Sequence, residues 1–112
     1  MQSTALPPWL KGDRRFEPGT ITITAAAHEI LRAAKVTADS LIAQHAVGNW
    51  GDLLEADKHT CEGNLLTGGH VFSIFTVTRF PLGLGKDRIM VCSLLREHWC
   101  YVCLEDEIGN VL

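Results

Sequence analysis

The order of apolar and polar residues divides the chain into a helix-forming part and a strand-forming part. Residues 20–24 alternate between threonine and isoleucine, which predicts a short strand with Ile21 and Ile23 facing inward. In the two segments that follow, apolar residues recur at the i, i+3, i+4, i+7 spacing of a helix that buries one face. The two stripes are Ala27, Ile30, Leu31 and Ala34, and then Ala38, Leu41, Ile42 and His45. The second stripe therefore ends on a histidine.

The stretch from His45 to Leu53 separates the second helix from a third. Gly48 is placed to end the second helix in a left-handed conformation. Asp52 and Glu55 have the spacing of a capping box, which predicts a third helix over residues 53–66. The inward face of this helix is expected to carry Leu54, Cys61 and Leu65.

From His70 onward the apolar residues follow a period of two. Residues 71–77 are mostly β-branched or aromatic and apolar on both faces, which predicts a central strand. Residues 88–94 and 98–104 are predicted to form two further strands, joined by a tight turn centred on Arg96. The fold is therefore predicted to be α+β: a short N-terminal strand, three helices, and then a three-stranded antiparallel meander against which the helices pack. In an alternative arrangement the third helix alone packs on the sheet, and the first two helices form a separate hairpin.

The two ends of the chain differ in composition from its centre. Residues 1–15 contain two prolines and a run of charged residues, which predicts a flexible N-terminal arm. Residues 16–107 are predicted to form a single α+β domain, and residues 108–112 a tail. The acidic segment 105–110 is expected to fray.

Composition limits the class of protein. The chain has 112 residues, of which 46% are hydrophobic and 21% charged, so it can bury a core as one domain. Its net charge of -3 gives no strong nucleic-acid signal, because duplex-binding proteins carry a basic face. We see no signal peptide and no apolar run of about 20 residues, so we expect a cytoplasmic protein with reduced cysteines and no membrane contact. The Gly83–Lys86 segment precedes a strand and fits neither a phosphate loop nor a dinucleotide motif, so no cofactor is expected.

His45 is the first candidate for chemistry. A histidine in an apolar stripe must find hydrogen-bond partners, because an unpaired buried polar group costs about 1–3 kcal/mol. The candidate partners are Asp52 and Asp57, on the loop and helix that follow. In one interpretation His45 makes a structural bond that fixes the turn between two helices. In the other it is a general base oriented by Asp57. The structural interpretation is favoured because no nucleophile or oxyanion site is apparent nearby.

The residues around His45 also offer a binding surface. Asp52 is predicted to cap the third helix, a role that needs no catalysis. Trp50 either locks the turn into the core or is exposed as an anchor for a partner. The residues predicted to bind a partner are Asn49, Trp50 and Asp52 in this turn, with Arg96 and Trp99 in the last hairpin.

The cysteines raise the question of a metal site. Cys100 and Cys103 have the Cys-x-x-Cys spacing, but residues three apart in a strand point to opposite faces. A turn centred on Arg96 would place Cys92 opposite Cys100, with His98 near them. The weak candidates for a zinc module are Cys92, His98, Cys100 and Cys103. Packing of reduced thiols is the favoured interpretation.

Over residues 16–107 the sequence resembles a group of small bacterial proteins, encoded on plasmids and integrative elements and often labelled "plasmid-related protein". The most specific part of the resemblance is the segment from His45 to Leu53, in which the family usually has Asp where this chain has Asn49. The matching positions are Phe16, Gly19, Ile21, Thr24, Ala27, Glu29, Leu31, His45, Gly48, Trp50, Gly51, Asp52, Leu53, Asp57, Lys58, Gly68, Ser73 and Phe75.

The chain departs from the family pattern mainly towards its C-terminus. The family has Asn where this chain has Cys61 and Arg where it has His70. A Thr-Glu-x-x-Arg motif survives only as Arg96, and the polar strand that follows has become residues 98–103. Some members carry the label of a type I restriction subunit, but the chain is too short for a methyltransferase and lacks its Gly-rich motif.

Three hypotheses for function follow. The leading one is a non-enzymatic accessory protein of mobile genetic elements that acts by binding another protein, with anti-restriction or anti-CRISPR activity as a specific form implied by the resemblance. The second is a small hydrolase or nuclease that uses His45 with Asp57. The third is a cysteine–histidine zinc module in the C-terminal hairpin.

Overall fold

The computed structural model describes residues 14–78 and 86–111. Almost all of the predicted arm, and most of the Gly83–Lys86 segment, lie outside these described residues. The elements are β1 (Thr20–Ile23), α1 (Ala25–Ala34), α2 (Ala38–Ala46), α3 (Glu55–Thr67), β2 (His70–Thr78), β3 (Lys86–Leu94), β4 (Trp99–Leu104), a 3₁₀ turn (Glu105–Glu107) and α4 (Ile108–Val111). The predicted α+β class is confirmed. Within the described ranges no helix is long and apolar enough to cross a membrane.

The sheet has four strands in the order β1-β4-β3-β2. Strands β2, β3 and β4 form the predicted antiparallel meander. Strand β1 pairs in parallel with β4, which makes the sheet mixed. The sequence predicted a separate short strand followed by a purely antiparallel meander. This is wrong in one respect, because the short strand joins the sheet in parallel with β4. A parallel neighbour requires a long crossover connection, and the three helices between β1 and β2 supply it together with the meander.

Helices α1 and α2 pack on one face of the sheet, and their apolar stripes are buried as predicted. Each helix begins at a threonine: Thr24 Oγ1 accepts from the N–H of Ala27, and Thr37 Oγ1 accepts from the N–H of Ser40. The core beneath them contains Ala27, Leu31, Ala34, Leu41, Ile42, Val77, Ile89, Val91, Cys100 and Val102. The alternative with α1 and α2 as a separate hairpin is therefore wrong.

The β1 isoleucines point to the helix side of the sheet, as predicted, but they are not buried. Ile21 is 43% exposed and Ile23 37% exposed, because β1 is the outer strand of the sheet. Leu54, expected on the inward face of α3, is 74% exposed because it precedes the first helical turn.

Strand β2 was predicted to be central, but it is the other edge of the sheet. Its free side is covered by α3 and by the turn before α3. The Sγ atom of Cys61 accepts the N–H of Phe72 at 3.3 Å and donates to the carbonyl of Phe72 at 3.5 Å. Asn64 Nδ2 donates to the carbonyl of His70 at 2.7 Å.

The turn continues this protection along β2. The N–H of Ile74 donates to the carbonyl of Trp50, and the N–H of Asp52 donates to the carbonyl of Ile74. The apolar pattern of a central strand therefore arises because β2 is enclosed on both faces and along its edge.

The opposite face of the sheet buries a smaller cluster that includes Ile74, Met90, Cys92 and Cys103, with Leu53 and Ile108 packed against it. The expectation that residues 105–110 fray is wrong for Glu105 to Ile108. Glu107 Oε1 accepts from the N–H of Leu104 and from Thr24 Oγ1. Glu105 forms an ion pair with Arg88.

The last hairpin differs from the prediction by one residue. Its turn occupies Leu95–His98, and His98 has a positive φ of 55°. Cys92 therefore faces Tyr101 across the ladder, and Cys100 faces Ser93. A slip of one residue moves every side chain to the other face of a strand, so Cys92 and Cys100 point in opposite directions.

We predict that Cys61→Val destabilises the protein by about 1–3 kcal/mol, because it leaves the N–H and the carbonyl of Phe72 without partners. Valine is somewhat larger than cysteine, so the substitution leaves no cavity. Cys61→Ser retains a donor and an acceptor and should lose less. Urea unfolding of both variants measures the difference, and a Cys61→Val protein as stable as the parent would contradict the assignment.

Candidate functional site

The centre of the molecule is the side chain of His45, which projects from the last turn of α2 and is 0% exposed. Its Nδ1 atom lies 2.7 Å from Oγ of Ser73, and its Nε2 atom lies 2.8 Å from Oγ of Ser93. These serines belong to the neighbouring strands β2 and β3 and are themselves buried. Both nitrogens of the imidazole are therefore satisfied inside the core.

The hydrogen bonds around the ring assign its tautomer. Ser73 Oγ donates its proton to the carbonyl of Asn49 at 2.7 Å, so it accepts from His45 Nδ1–H. The Nε2 atom is then unprotonated and accepts from Ser93 Oγ–H. A continuous chain of donors runs from Ser93 through His45 and Ser73 to Asn49. It joins α2, two strands and the turn after α2.

Aromatic rings enclose the imidazole. The ring of Phe16 meets it edge-on at a centroid distance of 5.0 Å, and the ring of Trp50 does so at 5.8 Å. Burial in this apolar shell lowers the pKa of His45 to about 3, because no water is available to solvate the charged form. His45 is therefore neutral at physiological pH.

The predicted carboxylate partners of His45 are wrong. Asp57 is exposed on α3, and Asp52 Oδ2 accepts from Oγ1 of Thr76 at 2.8 Å. Asp52 also does not cap α3, since the residue at that position is Leu54 and no side chain caps the helix. The general-base interpretation of His45 fails for the same reason. The ring has no carboxylate to orient it and no open face for a substrate.

The turn between α2 and α3 is built around two residues of positive φ. Gly48, at φ +90°, follows the end of α2 as predicted. Gly51 has a φ of +67°, and a Cβ atom there would lie 2.0 Å from the carbonyl oxygen of Ile74. Only glycine allows the turn to approach β2 this closely. Asn49 Oδ1 accepts from the N–H of Gly51, which closes a local Asx turn.

Trp50 is the wedge of this turn, 5% exposed, and does not present a surface to a partner. Its Nε1–H donates to Glu62 Oε2 at 2.9 Å. The same carboxylate receives two hydrogen bonds from Arg15, at 2.8 and 2.6 Å. These bonds from Arg15 and Trp50 lower the pKa of Glu62 to about 2. We call Arg15, Glu62 and Trp50 the carboxylate clasp. It lies between solvent and the polar centre, by which we mean His45 with Ser73 and Ser93.

The cysteines do not converge on one site. Cys100 lies in the core beneath α1 and α2, whereas Cys92 and Cys103 lie on the opposite face of the sheet. His98 is exposed in the hairpin turn. In residues 14–78 and 86–111 no group of three His, Cys, Asp or Glu side chains could hold a metal ion. Burial raises the pKa of Cys92 to about 12 and those of Cys100 and Cys103 to about 11, so these thiols are neutral. The third hypothesis, a zinc module with Cys92, His98, Cys100 and Cys103 as weak candidate ligands, is therefore wrong.

The side chains of the remaining predicted binding residues do not contact His45. Asn49 and Asp52 are exposed on the turn. Arg96 is exposed, and its Nη2 donates to the carbonyl of Thr67 at the end of α3. Trp99 is 38% exposed on the outer face of the sheet.

Sequence reasoning missed the residues that complete the centre. Ser73 and Ser93 were absent from the proposed partners of His45 because they lie 28 and 48 residues further along the chain. Each is a polar residue on an apolar face of a strand, and this was the available signal. Nothing in the sequence links Glu62 to Arg15 or Trp50, since their pairing depends on how α3 docks.

No family model, no curated protein and no solved structure matches the chain. The resemblance to plasmid-encoded proteins therefore stays a prediction. The geometry of His45 assigns it a structural role: a neutral imidazole that joins a helix, two strands and a turn.

We predict that stability falls between pH 7 and pH 5. The folded pKa of His45, about 3, lies below its ordinary value of 6.5, so the unfolded chain binds the proton first. The stabilisation is complete above pH 6.5 and is lost as the pH falls towards 3, which amounts to about 2 kcal/mol at pH 5. Urea unfolding at several pH values measures this slope. His45→Gln removes the titrating group, and an unchanged slope in that variant would refute the assignment.

We also predict that Ser73→Ala is more destabilising than Ser93→Ala. The first substitution leaves His45 Nδ1–H and the carbonyl of Asn49 without partners, and the second leaves Nε2 of His45 and the weakly bonding thiol of Cys100. Each buried group left unpaired costs about 1–3 kcal/mol. Thermal unfolding of the two variants gives the comparison, and an equal or reversed order would show that the donor chain is assigned wrongly.

Proposed function

We propose that the chain is a non-enzymatic accessory protein of mobile genetic elements and that it acts by binding another protein. Anti-restriction or anti-CRISPR activity is the specific form we favour. The gene context comes from the resemblance to plasmid-encoded proteins. The support from the molecule comes from an aromatic pair on the outer face of the sheet, in which Trp99 is exposed and Tyr101 is half-buried.

The aromatic pair consists of Trp99 and Tyr101 on β4. Their rings stack at a centroid distance of 6.2 Å, and Trp99 Nε1–H donates to Thr22 Oγ1 at 2.8 Å. The indole is thus held in one orientation although 38% of it is exposed. Surface tryptophan and tyrosine side chains that are already ordered lose little entropy on binding, and both residue types are enriched at binding hot spots. This pair is the observation that carries the proposal.

The burial of the central polar residues supports the same proposal. His45 is enclosed by Ser73, Ser93 and two aromatic rings, so it has no access to a substrate. The hydrolase hypothesis required His45 and Asp57 to act together, and Asp57 lies exposed on α3. The turn that follows His45 is then a scaffold, and the protein presents its binding residues elsewhere.

We further propose that the protein works in the cytoplasm. All of its cysteines, Cys61, Cys92, Cys100 and Cys103, are buried free thiols. Free thiols are typical of reducing compartments. Their burial raises the thiol pKa values, which protects them from reaction.

The test uses the full chain expressed in a bacterial host that carries a type I restriction system or a CRISPR system. We expect unmodified phage to plate more efficiently when the chain is present. Trp99→Ala should abolish the gain, because loss of a hot-spot tryptophan costs about 2 kcal/mol, or roughly 30-fold in affinity.

Leu66→Ala is the matched control, since Leu66 is 91% exposed on α3 and lies outside the aromatic pair. Thermal unfolding of each variant checks that the fold is intact. The proposal fails if neither defence system is relieved, or if Trp99→Ala is as active as the parent.

A further inference from the structure

The two edges of the sheet differ in whether their main-chain groups have hydrogen-bond partners. The edge at β2 is covered by Cys61, Asn64 and the turn at Trp50–Asp52. At the β1 edge, no residue of the described ranges bonds to the main chain of Ile21 or Ile23 on the side away from β4. Among the residues that the structure describes, the β2 edge is therefore covered and the β1 edge is not.

The pairing with β4 determines which groups point outward. The N–H of Thr20 donates to the carbonyl of His98, and the N–H of Thr24 donates to the carbonyl of Val102. Main-chain groups alternate in direction along a strand. The N–H and C=O groups of Ile21 and Ile23 therefore face away from the sheet.

Apart from its short length of four residues, β1 has little protection against pairing at this edge. Exposed edge strands commonly carry a charge, a proline or a bulge. Residues 20–24 contain none of these, and Ile21 and Ile23 are 43% and 37% exposed. The β1 edge is thus a surface prepared to accept another strand.

We propose that β1 pairs antiparallel with β1 of a second copy of this chain, about a two-fold axis at Thr22. A two-fold interface joins a surface to itself, so the surface must be self-complementary. Residues 20–24 read Thr-Ile-Thr-Ile-Thr, the same in both directions. Antiparallel pairing at this register places Ile21 opposite Ile23 of the second copy, and Thr22 opposite its own copy.

The hydrogen-bond directions agree with this register. Ile21 and Ile23 of the second copy become a pair that exchanges both main-chain hydrogen bonds, as their outward groups require. Thr22 and its copy form the intervening pair without hydrogen bonds, in which Cα atoms lie about 4.5 Å apart. The isoleucines meet on the helix side of both sheets, and the threonines meet on the side of Trp99.

Charged residues flank β1 at both ends. Ile21 borders a groove of about 420 Å³ that is lined by Asp39 and by Glu17, which pairs with Arg14. Ile23 borders a groove of about 240 Å³ that contains His28 and Arg32, and Arg32 pairs with Glu29. The charges at both flanks are thus largely paired, and the choice of a second copy as the occupant rests on the self-complementary sequence and register of residues 20–24.

The first test is a disulfide across the two-fold axis. In the full chain carrying Thr22→Cys, a glutathione redox buffer should produce a covalent dimer, because a Cα separation of about 4.5 Å falls within the range of disulfides. Ile21→Cys is the control: its copies would lie about 9 Å apart at this register and should remain monomeric on a denaturing gel. The native thiols are buried and do not interfere.

The second test is sedimentation of the unmodified chain over a wide concentration range. We expect a monomer–dimer equilibrium that Ile21→Lys or Ile23→Lys shifts to monomer by at least about tenfold in dissociation constant, because each places two like charges at the strand junction. Leu66→Lys should leave the equilibrium unchanged. A parent chain that stays monomeric throughout, or equal crosslinking of Thr22→Cys and Ile21→Cys, would overturn the proposal. So would a dimer that both edge lysines leave intact.

Discussion

The fold depends on the burial of one neutral imidazole. His45 is fully enclosed, so both of its nitrogens need partners within the protein. Those partners, Ser73 and Ser93, stand diagonally across β2 and β3 on the face that meets α2. A slip of one residue between the two strands would turn one serine to the opposite face. Because both ring nitrogens need hydrogen-bond partners, His45 fixes the register of the β2–β3 hairpin and the position of α2 together.

Hydrogen bonds also determine how α3 meets the sheet. A strand edge normally invites pairing, but here side chains of α3 and the main chain of the preceding turn occupy the groups of β2 in turn. Cys61 has an unusual part in this, since its thiol serves as donor and acceptor to a single residue, Phe72. A helix that carries few apolar residues can therefore dock firmly, because it satisfies main-chain groups as well as burying surface.

The sequence was a good guide to local structure and a poor one to contacts between distant segments. Periodicity identified α1, α2 and the meander, because each is encoded by residues close together in the chain. The place of β1 beside β4 and the edge position of β2 depend on contacts that no local pattern contains. His45 shows the limit most clearly: its spacing drew attention to Asp52 and Asp57, whereas its partners come from two strands further along. The hairpin error came from a turn one residue longer than predicted.

The carboxylate clasp holds the segment that precedes β1 against the rest of the domain. Arg15 is tied twice, by its side chain to Glu62 and by its N–H to the carbonyl of Ala46. Phe16, the next residue, is one of the two aromatic walls of the imidazole. The segment just before β1 thus covers the polar centre. In a chain shortened past Phe16, water would reach the ring of His45. The pKa of His45 would then rise towards its ordinary value of 6.5, and the ring would gain charge near neutral pH.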